Sequence, residues 1–112
     1  MKKNIVIKTN AQQGDVLLKR ISKMPTGEQK IVSKGRCILA EGETTGHYHG
    51  IDVAETDAEL IQIGEQMILA LAAPATLNHQ EHGPITLDAG LWEVGKVNEY
   101  DYFAQMKRKV VD

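Results

Sequence analysis

The stretch LIQIGEQMILALA, residues 60–72, decides the fold class of this chain. Residues 60–63 are a short, mostly aliphatic strand candidate, and Gly64-Glu65 has the composition of a tight hairpin turn. Residues 67–72 are a nearly continuous apolar run, which is typical of a central strand covered on both faces. The stretch therefore predicts a β-hairpin whose second strand lies inside a sheet.

Further short strands are predicted on both sides of this hairpin, with turns between them. They cover residues 4–8, 15–21, 30–32, 36–40, 51–53, 75–80, 85–87 and 91–97. The strands at 30–40 can also form one strand that bends at a bulge at Gly35. About nine short strands with frequent turns indicate an all-β fold, a single small barrel or sandwich spanning residues 1–112. The only helix expected is a short one from Tyr100 onward, with Asp101 as its cap.

The composition favours a soluble, cytoplasmic protein. The chain of 112 residues is 42% hydrophobic and 25% charged, and its formal net charge is −2. This balance argues against a nucleic-acid-binding surface, which needs clustered positive potential. We expect no signal peptide and no membrane span, because no apolar run has the required length. The single cysteine, Cys37, cannot form an internal disulfide, which fits a reducing compartment.

The first pair of histidines, His47 and His49, follows a Gly/Thr-rich turn at residues 42–46. Alternate side chains of an extended strand share a face, so these two imidazoles are expected to project together, with Tyr48 on the other side. Two imidazoles on one face can each offer a ring nitrogen to a single divalent ion. The spacing therefore predicts half of a metal site.

The second pair, His79 and His82, contains the two remaining histidines of the chain. Residues three apart on a straight strand point to opposite faces. We therefore expect one of the two to supply a third ligand, and both to do so only if the chain bends before Gly83-Pro84. The spatial hypothesis is that folding carries this pair beside the first one.

These histidines are the predicted metal ligands, namely His47, His49, His79 and His82. Imidazole-rich sites suit zinc, iron, nickel or copper, whereas an added carboxylate favours iron or manganese. Carboxylates near the two pairs in the sequence or on neighbouring predicted strands are those of Glu43, Glu55, Glu81 and Glu93. We expect zinc, iron or manganese as the cofactor.

The alternative interpretation is structural. A histidine beside a glycine-rich turn can be exposed, or can hold the turn by hydrogen bonding to the backbone. Glu81 can likewise be a general base or an ordinary surface carboxylate, and we expect the second. Trp92 is expected in the core rather than in a ligand platform.

Gly42, His47-Tyr48-His49, Glu55 and Gly64 together resemble the first motif of the cupin family. The resemblance implies a small β-barrel in which His47, His49 and Glu55 bind the metal. The spacings in this chain differ from the family pattern by one or two residues at each interval. In the region of the second cupin motif, Glu93 stands where the family has a histidine ligand.

A second resemblance runs the full length of the chain. Four segments of the chain resemble a family of small uncharacterised bacterial and phage-encoded proteins. These segments are Gly14-Asp15-Val16-Leu17-Leu18, Gly46-His47-Tyr48-His49, His79-Gln80-Glu81-His82 and Asn98-Glu99-Tyr100-Asp101. This resemblance implies no activity and assigns no catalytic role.

Two hypotheses about function remain open. The first is a metal-dependent enzyme of cupin type, in which an ion with an open coordination position acts on a small-molecule ligand. The second is a non-enzymatic structural or assembly module, bacterial or phage, in which the histidines pin turns or close a structural zinc site. In that case the alanine-rich run at residues 67–75 is a candidate interface of a homo-oligomer.

Overall fold

The computed structural model describes residues 5–41, 47–52, 57–80 and 82–96 of the chain. This part of the chain forms strands and turns. The strands are β1 (Val6–Ile7), β2 (Asn10–Gln13), β3 (Val16–Ile21), β4 (Gln29–Lys34), β5 (Cys37–Glu41), β6 (Tyr48–Ile51), β7 (Ala58–Ile63), β8 (Gln66–Leu71), β9 (Ala75–Asn78), β10 (Ile85–Leu87) and β11 (Gly90–Lys96).

The strands form two sheets. The first has the order β1-β10-β9-β6-β5 and the second the order β2-β3-β11-β8-β7-β4. The neighbours β1 and β10 are parallel, and the other described pairs are antiparallel. The all-β prediction is therefore confirmed, and the architecture is a sandwich. The helix expected from Tyr100 lies outside the described residues.

The main core lies between the two sheets. Leu69 and Trp92 of the second sheet pack in it with Ile51 and Leu77 of the first, and all four are fully buried. Successive side chains of a regular strand point to opposite faces of the sheet, so period-2 patterning selects most residues of this core. Trp92 also donates its indole N–H to the carbonyl of Asp88 at 3.0 Å, and its core location is confirmed.

The outer face of the second sheet has a smaller apolar cluster. Ile61, Ile63 and Ile68 are buried there, and Met24 from the loop between β3 and β4 packs against them. Strand β8 lies between β7 and β11 and contributes Leu69 to one face and Ile68 to the other. The predicted central, doubly covered strand is thus confirmed. Because the chain itself covers most of this run, it needs no second copy for burial, and the homo-oligomer stays a prediction.

Upstream of the hairpin the structure adds one strand to the prediction, and for residues 30–40 it confirms two strands rather than one bent strand. Strand β2 was not predicted, because Asn10-Ala11-Gln12-Gln13 is polar and lacks the residues that mark a strand. Residues 30–40 form two strands in different sheets, since Gly35 has a φ of 75° and turns the chain between them. The bulge-like irregularities lie within the strands instead, between Ile31 and Ser33 and between Ile38 and Ala40.

No helix in the described ranges has the length and hydropathy needed to cross a lipid bilayer.

Candidate functional site

The pairing of β6 with β9 brings the two histidine pairs together. Gly50 pairs with Asn78 and Ile51 with Leu77, and the same register continued by one residue sets His49 opposite His79. Directly opposed residues of neighbouring antiparallel strands share a face. The ring centroids of these two histidines are accordingly 4.3 Å apart, with 38° between the ring planes.

The rings of the other two histidines, His47 and His82, lie next to this pair. The ring centroid of His47 is 5.7 Å from that of His79. The ring centroid of His82 is 4.7 Å from that of His79 and 6.0 Å from that of His49. The chain bends after His79, where the backbone N–H of His82 donates to His79 Nδ1 at 3.3 Å. This bend brings both members of the second pair into the group. We call these four residues the histidine cluster.

The histidine cluster extends from the interior of the sandwich to its surface. His49 is 1% exposed, His47 and His79 are partly buried, and His82 is exposed. The His82 side of the cluster therefore faces solvent. His49 is the most buried of the four.

Gln13 of the second sheet holds His49 of the first. Its amide Nε2 donates to the backbone carbonyls of Leu77 and Gly83, each at 2.9 Å, and its Oε1 lies 2.9 Å from His49 Nδ1. Gln13 is 3% exposed, and these contacts account for the two N–H groups and the oxygen of its amide. Through these hydrogen bonds Gln13 connects strand β9, the turn after His82 and the imidazole of His49.

The turn between β2 and β3 places a carboxylate at the same imidazole. Asp15 Oδ1 is 3.3 Å from His49 Nε2, and the aspartate side chain is 46% exposed. Gly14 precedes it with a φ of 57°. A Cβ at Gly14 would lie 2.6 Å from His82 Nε2 and 3.2 Å from His49 Cε1, so this backbone packs directly against the cluster.

The electrostatic surroundings of His49 favour its neutral form. Burial lowers the pKa of His49, and His79 and His82 lower it further, whereas Asp15 acts in the opposite direction. Burial disfavours a charged imidazole because the ring loses its hydration. A neutral imidazole is also the form that binds metal ions.

Tyr48 lies on the other face of β6, as its alternation with the histidines predicts. Its hydroxyl accepts a hydrogen bond from Arg36 Nη2 at 2.8 Å, and the guanidinium lies over the ring at 5.5 Å from the centroid. Its backbone N–H donates to Gln80 Oε1 at 2.7 Å. These contacts fix the strand between His47 and His49 without entering the cluster.

Of the four carboxylates considered from the sequence, Glu93 is within the described residues, and it does not join the histidine cluster. Glu43, Glu55 and Glu81 lie outside the described residues. Glu93 was a candidate ligand, but it lies on β11 next to the inward-facing Trp92 and therefore points to the outer face of the second sheet. There it accepts a hydrogen bond from Gln66 Nε2 at 3.0 Å.

Sequence reasoning missed both Gln13 and Asp15 as site residues. The signal that was present is Gly14-Asp15, a glycine-containing turn that leads into the apolar strand β3. It predicts a hairpin, but nothing local connects that hairpin with histidines more than thirty residues away.

Within the described ranges, no three side chains of histidine, cysteine, aspartate or glutamate converge tightly enough to form a metal-coordinating group. The spacings between the rings are nevertheless close to those of imidazoles bound to one ion. Imidazoles bound tetrahedrally at about 2.0–2.1 Å have centroids about 5 Å apart. The four measured separations, 4.3, 4.7, 5.7 and 6.0 Å, lie on both sides of this value.

Comparison with known proteins gives one match. The sequence pattern of a family described as "Domain of unknown function (DUF8820)" matches residues 12–96. The matched segment contains Gln13, Asp15 and the whole histidine cluster. No curated protein and no solved structure matches the chain.

Proposed function

The chain belongs to the DUF8820 family of domains of unknown function, and we propose from the site geometry that it binds one divalent metal ion with the histidine cluster. The observation that carries the proposal is the proximity of all four histidine rings of the chain, whose neighbouring centroids are 4.3 to 6.0 Å apart. Two chain segments and a bend are needed to assemble them. Their surroundings include the buried amide of Gln13, which orients one of the rings.

The ligand chemistry indicates zinc, iron or manganese. Imidazole nitrogens suit zinc and iron, and a nearby carboxylate extends the range to manganese. The exposed position of His82 supports an ion that keeps one position open to solvent. Such an ion would supply Lewis-acid chemistry or an activated water to a small-molecule ligand. The cupin resemblance of residues 42–64 supports two of the four proposed ligands, His47 and His49.

A structural role is the second candidate, and one observation favours it. The second histidine pair is already linked internally, because the His82 N–H donates to His79 Nδ1, and Gln13 holds the carbonyl of Gly83. These bonds can pin the turn with no ion present. In this alternative the protein is a non-enzymatic assembly module whose histidines stabilise turns or close a structural zinc site.

Elemental analysis tests the proposal. Protein purified without an affinity tag is incubated with zinc, iron(II) or manganese and then freed of unbound ions. We expect roughly one equivalent of metal in the wild type and a loss of it in His47→Ala/His49→Ala. Because His49 is buried, the exposed His82→Ala is a second variant that preserves the core, and it is expected to bind metal more weakly.

Asn78→Ala is the matched control, since Asn78 is exposed and lies on β9 next to His79. It should retain the wild-type metal content. A folded wild-type protein that takes up none of the three metals would overturn the proposal and leave the structural role. A structural zinc site would be favoured by a different result. In that case the protein retains zinc, removal of the zinc lowers the melting temperature, and the bound ion exchanges no ligand with solvent.

A further inference from the structure

The hydrogen bonds of Gln13 determine which nitrogen of His49 carries a proton. Both N–H groups of the Gln13 amide point to backbone carbonyls, those of Leu77 and Gly83. A flipped amide would set its oxygen against two carbonyl oxygens, so the orientation is determined by the network. The amide oxygen therefore faces His49, and the His49 Nδ1–H must donate to it.

The other nitrogen of His49 then faces Asp15. In the neutral ring Nε2 has a lone pair, and Asp15 Oδ1 lies 3.3 Å from it. Two acceptor atoms at this distance are unfavourable unless a cation lies between them or beside them. The cation can be a proton on Nε2 or a metal ion bound by both atoms.

The distance between the two atoms fits a shared metal ion. Ligand atoms bound at about 2.0–2.2 Å on neighbouring positions of one ion lie about 3.0–3.5 Å apart, for octahedral and tetrahedral geometry respectively. The separation of 3.3 Å between His49 Nε2 and Asp15 Oδ1 is within this interval. The half-exposed carboxylate can also shift to meet an ion, because its turn lies at the surface.

We propose that Asp15 is an oxygen ligand of the ion bound by the histidine cluster, and that Gln13 is the positioning residue that directs His49 Nε2 toward it. The inference rests on the proposed function and makes the site a mixed histidine–carboxylate one. Such a donor set suits iron(II) and manganese(II) better than imidazoles alone do. Gln13 plays the part of the hydrogen-bond acceptor that orients a metal-bound histidine through its second nitrogen.

The test is a metal titration of Asp15→Asn by calorimetry with manganese(II) and with zinc(II). Asparagine keeps the shape of the side chain and remains suitable for a glycine-containing turn, so the variant is expected to fold. We expect the manganese affinity to fall at least about tenfold, since even groups that only orient a ligand change affinity by about 10–100-fold. The zinc affinity, carried mainly by imidazoles, should fall less.

Asp57→Asn is the matched control. It removes the same charge from the turn residue directly before β7. The pairing register places this end of the second sheet opposite to the β2–β3 turn. Its metal affinity should equal that of the wild type.

The outcomes separate the two proposals. If the wild type binds metal and Asp15→Asn binds manganese equally well, Asp15 is no ligand, whereas the histidine site stands. If the wild type binds no metal, both proposals fail. If Asp15→Asn only lowers the melting temperature of the metal-free protein, the carboxylate serves an ion pair with a protonated His49, and the inference is wrong.

Discussion

Gly14 joins two constraints at a single residue. Its φ of 57° lies in the left-handed region, where a side chain is strained, and its missing side chain leaves room for the rings of His49 and His82. Gly64, in the β7–β8 turn, has nearly the same φ of 59°, but a Cβ there would meet no atom within 4 Å. Both positions therefore need glycine for the backbone conformation, but only Gly14 also needs it because the neighbouring rings leave no room for a Cβ.

Gly14→Ala is expected to destabilise the protein more than Gly64→Ala does. Both changes carry the left-handed backbone cost of about 1–2 kcal/mol. Gly14→Ala must in addition displace the His82 ring, whose Nε2 would lie 2.6 Å from the new Cβ. Urea unfolding measures the two free energies of unfolding, and the imidazole NMR signals should shift only in Gly14→Ala.

The control in this comparison is internal, because the two substitutions are chemically identical. Equal losses of stability, together with unchanged imidazole signals in both variants, would show that the β2–β3 turn does not press on the cluster.

At the scale of elements, β8 illustrates how far an apolar pattern predicts structure. Six consecutive residues with mostly apolar side chains indicated a strand covered on both faces, and the structure has Leu69 facing the first sheet and Ile68 facing the Met24 loop. Strand β2 shows the opposite case. Its inward residue Gln13 is polar, so hydrophobic periodicity could not reveal it.

Ile68→Ala is expected to lower the free energy of unfolding by about 2–5 kcal/mol, the usual cost of truncating a fully buried isoleucine. The residue is 0% exposed although it is on the outer face of its sheet. Ile31→Ala on the edge strand β4 is the comparison, because Ile31 is 50% exposed and its removal should cost far less. Urea denaturation of both variants measures the difference. Similar small losses would mean that the loop around Met24 does not cover this face.

At the scale of the whole molecule, the candidate site contains polar contacts that connect the two sheets. His49 belongs to the first sheet, and Gln13 and Asp15 belong to the β2–β3 hairpin of the second. Gln13 extends the link to the carbonyls of Leu77 and Gly83. The polar contacts that shape the cluster therefore also hold one end of the sandwich closed.

Gln13→Met is expected to lower the free energy of unfolding by about 1–3 kcal/mol, because it leaves buried hydrogen-bonding groups without a partner. Methionine has a similar length, so the loss reports the hydrogen bonds rather than the volume. Gln12→Met changes the exposed neighbour and should shift stability by no more than about 0.5 kcal/mol. Chemical denaturation compares the two, and equal effects would contradict the role of Gln13 as a link between the sheets.

The sequence by itself determined the β-strand character of the chain, the β7–β8 hairpin and the common face of His47 and His49. These features follow from turn chemistry and from alternation within one strand, which depend only on near neighbours. The tertiary structure alone decided that Gln13 and Asp15 meet His49, and that both His79 and His82 join it. Those contacts depend on strand register and on how the two sheets stack. Both are set by the packing of the whole core, which no local pattern encodes.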